Sequence, residues 1–131
     1  MNSAKPEDVK FVEKNLDELN SEAVRIYTNS VVTVDNVEEI KGKRAIVVED
    51  GPTLTHGNMA TGAGYVAAKE HGCTIVDPKP HVVGTMAKVF EEFPQITEIV
   101  PAMGYNDQQI RDMETTLNNI DADIILSLIH I

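Results

Sequence analysis

The 131-residue sequence contains one cysteine, no tryptophan and few aromatic residues, and none of its apolar runs is long enough to span a membrane. The single cysteine, Cys73, excludes an internal disulfide and fits a reducing cytoplasm. The N-terminus, MNSAKPEDVK, lacks the apolar segment of a secretory signal. These absences predict a cytoplasmic globular protein that does not bind membranes.

Basic residues are also scarce. The net charge is −10, and residues 51–131 contain 10 acidic residues but only 4 Lys or Arg. Nucleic-acid binding needs clustered Lys and Arg, so this charge argues against it. An anionic ligand would depend on local donors. The sequence does not determine whether the chain forms an oligomer.

Familiar nucleotide and metal motifs are missing as well. The sequence has no G-x-x-x-x-G-K-[ST] phosphate loop, and the stretch TGAG is too short for a dinucleotide fingerprint. The four histidines lack zinc-like spacing. The chain by itself therefore supplies no ordinary P-loop site.

Apolar periodicity predicts a single α/β domain over residues 1–131. The predicted helices are Pro6–Leu19, a turn at Val37–Ile40, residues 61–71, Val82–Phe93 and a helix capped by Asn106. The predicted strands are Ala23–Thr28 with an extension at Val31–Val34, Arg44–Glu49, Thr74–Val76, Ile96–Val100 and the segment from Asp123 onward. Alternating strands and helices predict a three-layer fold, Rossmann-like or P-loop-like, whose mostly parallel sheet has helices on both faces.

Three loops leave the carboxyl ends of the predicted strands, where open parallel sheets bind ligands. They are residues 50–61 (DGPTLTHGNMAT), 77–85 (DPKPHVVGT) and 101–105 (PAMGY). We expect them to bring Asp50, His56, Lys79 and Tyr105 to one edge of the sheet.

The first loop has the composition of an anion site. Asp50 is a candidate for catalysis or for Mg²⁺ binding, and His56 is a second catalytic candidate. Donors and open backbone for a substrate come from Thr53, Thr55, Gly51 and Gly57. Gly62 and Gly64 begin the next helix, whose free amide groups favour an anion. The same residues fit an ordinary turn, but their combination in one loop favours function.

The second and third loops contribute further substrate candidates. Lys79 and His81 alternate with prolines that stiffen the loop, which suits a polyanion, although two exposed side chains on a surface connection fit nearly as well. Tyr105 follows the next strand.

The blocks VEDGPTLTHG, GAGYVAA, VDPKP and PAMGY, in this order, resemble the cyclic 2,3-diphosphoglycerate synthetases and related predicted GTPases. The resemblance implies an enzyme that uses Mg²⁺ and ATP or GTP to close a phosphoanhydride in a small anionic phosphorylated substrate. It also implies a longer parent protein with a P-loop ahead of this segment. Asn2 matches part of the family's base-recognition segment and is a candidate cofactor contact.

The last residues depart from the family pattern. The chain reads SLIHI where a Gly-Thr-Pro-type segment is expected, an ending typical of translated sequencing-adapter read-through. We therefore expect residues 127–131 to be a non-native tail. Two function classes remain open: the substrate edge of a phosphoryl-transfer enzyme, or a non-catalytic α/β ligand-binding or regulatory module. A receiver-type switch is a weaker third.

Overall fold

The computed structural model describes residues 4–128. Two compact units make up the chain, the first ending at Val31 and the second beginning at Val32. Asn2 and residues 129–131 of the expected tail lie outside the described residues. No helix within the described part is long and apolar enough to cross a bilayer.

The first unit contains helix α1, Pro6–Leu19, which confirms the predicted helix. Pro6 is in the first turn, followed by two acidic residues that suit the positive end of the helix dipole. After the helix, Arg25 pairs with Asp17 and the Tyr27 hydroxyl donates a hydrogen bond to Glu13.

The strand predicted over Ala23–Thr28, with its extension at Val31–Val34, is wrong. Residues 24–34 are neither helix nor strand, and the side chains of Val24 and Ile26 are exposed. The β-type composition is present, but a strand also needs a neighbour to pair with, and within the described chain these residues belong to no sheet.

The second unit is built around strand β1, Arg44–Asp50, which pairs in parallel with every other strand of the described sheet. The other strands are β2 (Thr74–Ile75), β3 (Val100–Ala102) and β4 (Ile124–Ser127). Along one edge of β1, β2 pairs with the amino-terminal part and β3 with the carboxyl-terminal part, while β4 pairs with the other edge. The carboxyl ends of all four strands therefore point the same way.

Helices cover both faces of the sheet. The helices are α2 (Val37–Ile40), α3 (Gly51–Thr55), α4 (Ala63–Glu70), α5 (Gly84–Glu92) and α6 (Asp107–Asn118). Ala45 and Val47 of β1 pack in one core cluster with Ala68 of α4. Ile46 and Val48 alternate to the other face and pack in a second cluster with residues of α6. This arrangement confirms the predicted three-layer α/β fold.

Several predicted boundaries shift. The helix predicted over 61–71 is Ala63–Glu70, and the one over Val82–Phe93 is Gly84–Glu92. The strand predicted at Ile96–Val100 is instead Val100–Ala102. Ile96 and Ile99 are fully buried without being in a strand, because core burial alone gives the same apolar pattern.

Candidate functional site

Two neighbouring carboxylates end the central strand, and they face opposite sides of the sheet. Glu49 follows Ala45 and Val47 on the face of α4, whereas Asp50 continues the series of Ile46 and Val48 toward α6. The strand period of two thus separates two acids that are adjacent in sequence. Each carboxylate consequently meets the start of a different helix.

The Glu49 carboxylate lies at the N-terminus of α4. It is 1% exposed, and its Oε1 accepts a 2.8 Å hydrogen bond from the backbone amide of Tyr65. Its Oε2 is buried and takes no hydrogen bond from the described residues. Burial raises the pKa of the Glu49 carboxyl, and the backbone amides of Tyr65, Gly62 and Gly64 offset only part of that rise. The protein's own carboxylate therefore occupies the helix start where the sequence analysis places a bound anion.

Gly62 and Gly64 leave room for this carboxylate. A Cβ atom on Gly62 would lie 2.5 Å from Oε2 of Glu49, and one on Gly64 would lie 3.3 Å from Oε1. Both glycines thus have a structural reason to be glycine. Their predicted contact with a substrate remains a prediction.

Asp50 caps helix α3, a short helix that occupies part of the segment the sequence analysis treats as a loop. Its Oδ2 accepts hydrogen bonds from the backbone amide of Thr53 at 3.2 Å and from the Thr53 hydroxyl at 2.8 Å. Oδ1 takes no hydrogen bond from the described residues. The cap therefore fixes one oxygen of the carboxylate and leaves the other without a hydrogen bond from the described residues.

The other candidates of the first loop have local roles in or beside α3. The Thr55 hydroxyl donates to the carbonyl of Gly51 at 3.0 Å and lies 3.1 Å from Nδ1 of the exposed His56. A Cβ atom on Gly51 would lie 2.4 Å from the carbonyl oxygen of Ala102 in β3. A Cβ atom on Gly57 would lie 2.4 Å from the carbonyl oxygen of Thr53. These glycines permit a close backbone approach, as the sequence predicts, but the approaching atoms belong to the protein.

A cavity of about 880 Å³ brings together Asp50 and Tyr105. It lies where β1 and β3 end, and α6 forms its opposite wall. The wall is mainly apolar, with Met103, Met113 and Leu117 among the lining residues. The position agrees with the general rule for ligands at the carboxyl edge of a parallel sheet.

Lys79 and His81 follow β2 at the same edge of the sheet but do not line this cavity. They are the first and last residues of a 3₁₀ turn, Lys79–His81, which begins where the Asp77 carboxylate accepts a hydrogen bond from the Lys79 amide. Within the described residues, no ion pair engages the Lys79 ammonium group. The cationic side chains of this loop are therefore at the same edge as Asp50 but outside the lining of the cavity.

Sequence reasoning missed Glu49 and also Asp112, which is a second carboxylate at a helix start. Oδ2 of Asp112, on α6, accepts hydrogen bonds from the amide and the hydroxyl of Thr85, each at 2.8 Å. The Thr85 amide and hydroxyl, with help from Gln108, hold the pKa of the Asp112 carboxyl below its usual value. Glu49 had one signal in the sequence, an acid at the end of an otherwise apolar buried strand. Asp112 had none, because its partner is 27 residues away.

Metal ligands are sparse. No group of three or more His, Cys, Asp or Glu side chains that could hold a metal ion occurs among the described residues. Mg²⁺, however, commonly binds through one or two carboxylates together with water and substrate phosphates. Asp50, with its available Oδ1, fits such a partial site.

Comparison with known proteins adds one named relative. No family model and no solved structure matches the chain. The sequence is 45% identical over 127 residues to a protein named arginine synthetase ArcE from Thermococcus kodakarensis. The match covers 96% of this chain and 28% of the relative, so the chain spans somewhat more than a quarter of that protein's length and is similar to one part of a synthetase.

Proposed function

We propose that this chain carries the acceptor-substrate edge of a nucleotide-dependent synthetase, with Asp50 as the carboxylate that meets the substrate. The observation that supports this best is the placement of Asp50, whose Oδ2 is held by Thr53 while the residue lines the cavity at the end of the central strand. A carboxylate fixed through one oxygen is well suited to orient a ligand through the other. Similarity to part of a named synthetase supports the same class of enzyme.

The first candidate substrate or product is arginine, which the name of the relative contains. Arginine carries a planar guanidinium group with five donors, and such groups pair with carboxylates. Asp50 and Glu114 both line the cavity. Their negative charges favour a cationic ligand over a phosphorylated one at this position.

The second candidate is the small phosphorylated acid that the resemblance to cyclic 2,3-diphosphoglycerate synthetases implies. Lys79 and His81 favour it, because both are at the carboxyl edge of the sheet and outside the acidic cavity. In this case they would bind the phosphate groups, and the enzyme would close a phosphoanhydride within the substrate.

Mg²⁺ and ATP or GTP complete the proposal. When bound, the metal nucleotide would supply the phosphoryl group and its activation. With the phosphorylated acid as the substrate, Asp50 would hold the Mg²⁺ through Oδ1, and the amide and hydroxyl of Thr53 would keep the carboxylate oriented. With arginine as the ligand, Oδ1 would instead meet the guanidinium group. We assign the nucleotide no phosphate-binding residues in this chain, because its sequence contains no P-loop motif.

The test is calorimetric titration of the 131-residue chain with L-arginine and, separately, with 2,3-diphosphoglycerate and Mg²⁺. Asp50→Asn is the main variant, because an amide oxygen can still accept the hydrogen bonds of Thr53. A double variant, Lys79→Ala with His81→Ala, tests the second loop. We expect at least one ligand to bind and one of these variants to weaken its binding about tenfold or more.

Failure of both ligands to bind a folded chain would contradict the proposed function. The chain would then be better described as a non-catalytic α/β module, the alternative class that the sequence leaves open. Circular dichroism of each variant checks that the fold is intact.

A further inference from the structure

The start of helix α6 carries a reciprocal pair of side-chain caps. Asn106 comes directly before the helix, and its Oδ1 accepts hydrogen bonds from the amides of Gln108 and Gln109, each at 3.0 Å. In return, Oε1 of Gln109 accepts a 3.0 Å hydrogen bond from the backbone amide of Tyr105. The arrangement resembles a capping box, except that the returning bond reaches the residue before the cap. It fastens the backbone of Tyr105 to the first turn of α6.

Tyr105 lies at the open side of the cavity that Asp50 lines. Tyr105 and Ile110, both in the lining, are 68% and 52% exposed. Met113 and Leu117, in the same lining, are buried. Tyr105 and Ile110 hold the two positions of a hydrophobic staple, the residue before the cap and the fourth residue of the helix. A ligand that covers this apolar pair removes its surface from water, which favours binding.

Gln109 can affect such a ligand only indirectly. Its side chain is not part of the cavity lining, and the hydrogen bond that it accepts comes from the backbone of Tyr105. If that bond is absent, the segment before α6 has more freedom, and binding must then order the tyrosine as well as the ligand. Ordering one large side chain costs binding affinity.

We propose that Gln109 is a positioning residue for ligand binding, because it holds Tyr105 where the tyrosine ring covers a ligand in the cavity. The proposal rests on the proposed function, which places a ligand at Asp50. It does not depend on the charge of that ligand, since the side chains of Gln109 and Tyr105 are both uncharged. A role limited to capping α6 is the alternative, and the experiments below separate the two.

The hydrogen bond itself is tested without a ligand. Gln109→Leu removes the acceptor and keeps a side chain of similar size, whereas Gln109→Glu keeps an oxygen acceptor. We expect the Tyr105 amide to exchange with solvent about three- to tenfold faster in Gln109→Leu, and Gln109→Glu to restore its protection. Hydrogen exchange followed by ¹⁵N nuclear magnetic resonance measures this amide directly. Equal exchange in all three proteins would overturn the proposal.

Gln108 provides the matched control. It is the neighbouring glutamine in the same turn of α6, but its Nε2 donates a 2.7 Å hydrogen bond to Oδ1 of Asp112, and it does not line the cavity. Gln108→Leu is therefore the same chemical change at a site that does not contact the Tyr105 backbone. We expect it to leave both the exchange of the Tyr105 amide and the affinity for a ligand unchanged.

A double-mutant cycle tests whether Gln109 acts through the tyrosine ring. Calorimetry with L-arginine and, separately, with 2,3-diphosphoglycerate and Mg²⁺ identifies the ligand that binds the unchanged chain. Gln109→Leu should weaken that ligand about three- to tenfold. Tyr105→Ala removes the ring but keeps the backbone amide, so in this background Gln109→Leu should weaken binding no further. Circular dichroism checks that each variant is folded.

The outcomes distinguish this proposal from the proposed function. If a ligand binds the unchanged chain and Gln109→Leu leaves its affinity unaltered, this inference fails and the proposed function stands. The inference also fails if Gln109→Leu weakens binding equally with and without the Tyr105 ring, because the glutamine then acts only by capping α6. If neither ligand binds, both proposals fail.

Discussion

The Glu49 carboxylate accepts a 2.8 Å hydrogen bond from the Tyr65 backbone amide, so a buried side chain of the central strand caps the helix on one face of the sheet. Helix starts carry unpaired amide groups and a partial positive charge. In this fold the Glu49 side chain satisfies one of them from within the protein, and the next residue, Asp50, lines the cavity at the end of the strand.

Burial of Glu49 predicts a pH dependence of stability. Its pKa in the folded protein is raised, so its contribution to stability is fully present below the ordinary glutamate pKa of about 4.3 and is lost as pH rises through the folded pKa. The free energy of unfolding should therefore fall as the pH rises from the ordinary glutamate pKa through the raised pKa of folded Glu49. We expect this fall to be smaller in Glu49→Gln, because glutamine does not ionise. Urea unfolding at a series of pH values measures it, and identical pH profiles for the two proteins would refute the assignment.

A glycine next to this carboxylate gives a second prediction. Because a Cβ atom on Gly62 would lie 2.5 Å from Oε2 of Glu49, Gly62→Ala should destabilise the chain by about 1–3 kcal/mol. The backbone φ of −134° is allowed for alanine, so the cost should come from the contact. In a Glu49→Ala background the same substitution should cost much less. A double-mutant cycle by chemical unfolding tests this coupling, and additive effects would show that Glu49 is not the cause.

Much of the fold could be predicted from the sequence, because the spacing of apolar residues indicates which face of a segment is buried. This spacing differs between helices and strands. The apolar run before Asp50 predicts the central strand, and the Asn106 cap predicts α6, where the Asn106 side chain accepts hydrogen bonds from the amides of Gln108 and Gln109. The parallel arrangement of the strands followed from their alternation with helices. The segment Ala23–Thr28 failed because a strand depends on a pairing partner that composition does not encode.

The site was only partly predictable. The sequence predicts that Asp50 lies at the carboxyl edge of the sheet, because it follows a strand of a parallel α/β alternation, and the structure places it there. Its contact with a ligand stays a prediction. The sequence did not indicate that the donors of Thr53 and Thr55 would be used within α3, or that Glu49 would occupy the start of α4. Those contacts depend on three-dimensional packing between segments, which residue type alone does not determine.

Asp112 should show the opposite pH dependence from Glu49. Its pKa is lowered by the hydrogen bonds from Thr85, so its contribution to stability is present above the ordinary aspartate pKa of about 3.9 and is lost as pH falls through the folded pKa. We expect Asp112→Ala to lower the stability at neutral pH and to flatten the loss of stability below about pH 3.9. Acid titration followed by circular dichroism measures both effects. Asp107→Ala, an exposed acid in the first turn of the same helix, is the control, and an equal effect there would contradict a specific role for Asp112.

Leu54 anchors the short helix that presents Asp50, and it provides the last prediction. Its side chain is fully buried in the core cluster that contains Ala45 and Val47 of β1, so Leu54→Ala should reduce the free energy of unfolding by about 2–5 kcal/mol. Leu19→Ala makes the same substitution at the end of α1, where the side chain is 86% exposed, and should change it by no more than about 0.5 kcal/mol. Chemical unfolding of the two variants compares them directly. Because α3 also carries the Thr53 donors, we expect Leu54→Ala to weaken any ligand that binds through Asp50, while Leu19→Ala leaves that affinity unchanged. Equal stability of the two variants would mean that α3 is not anchored through Leu54.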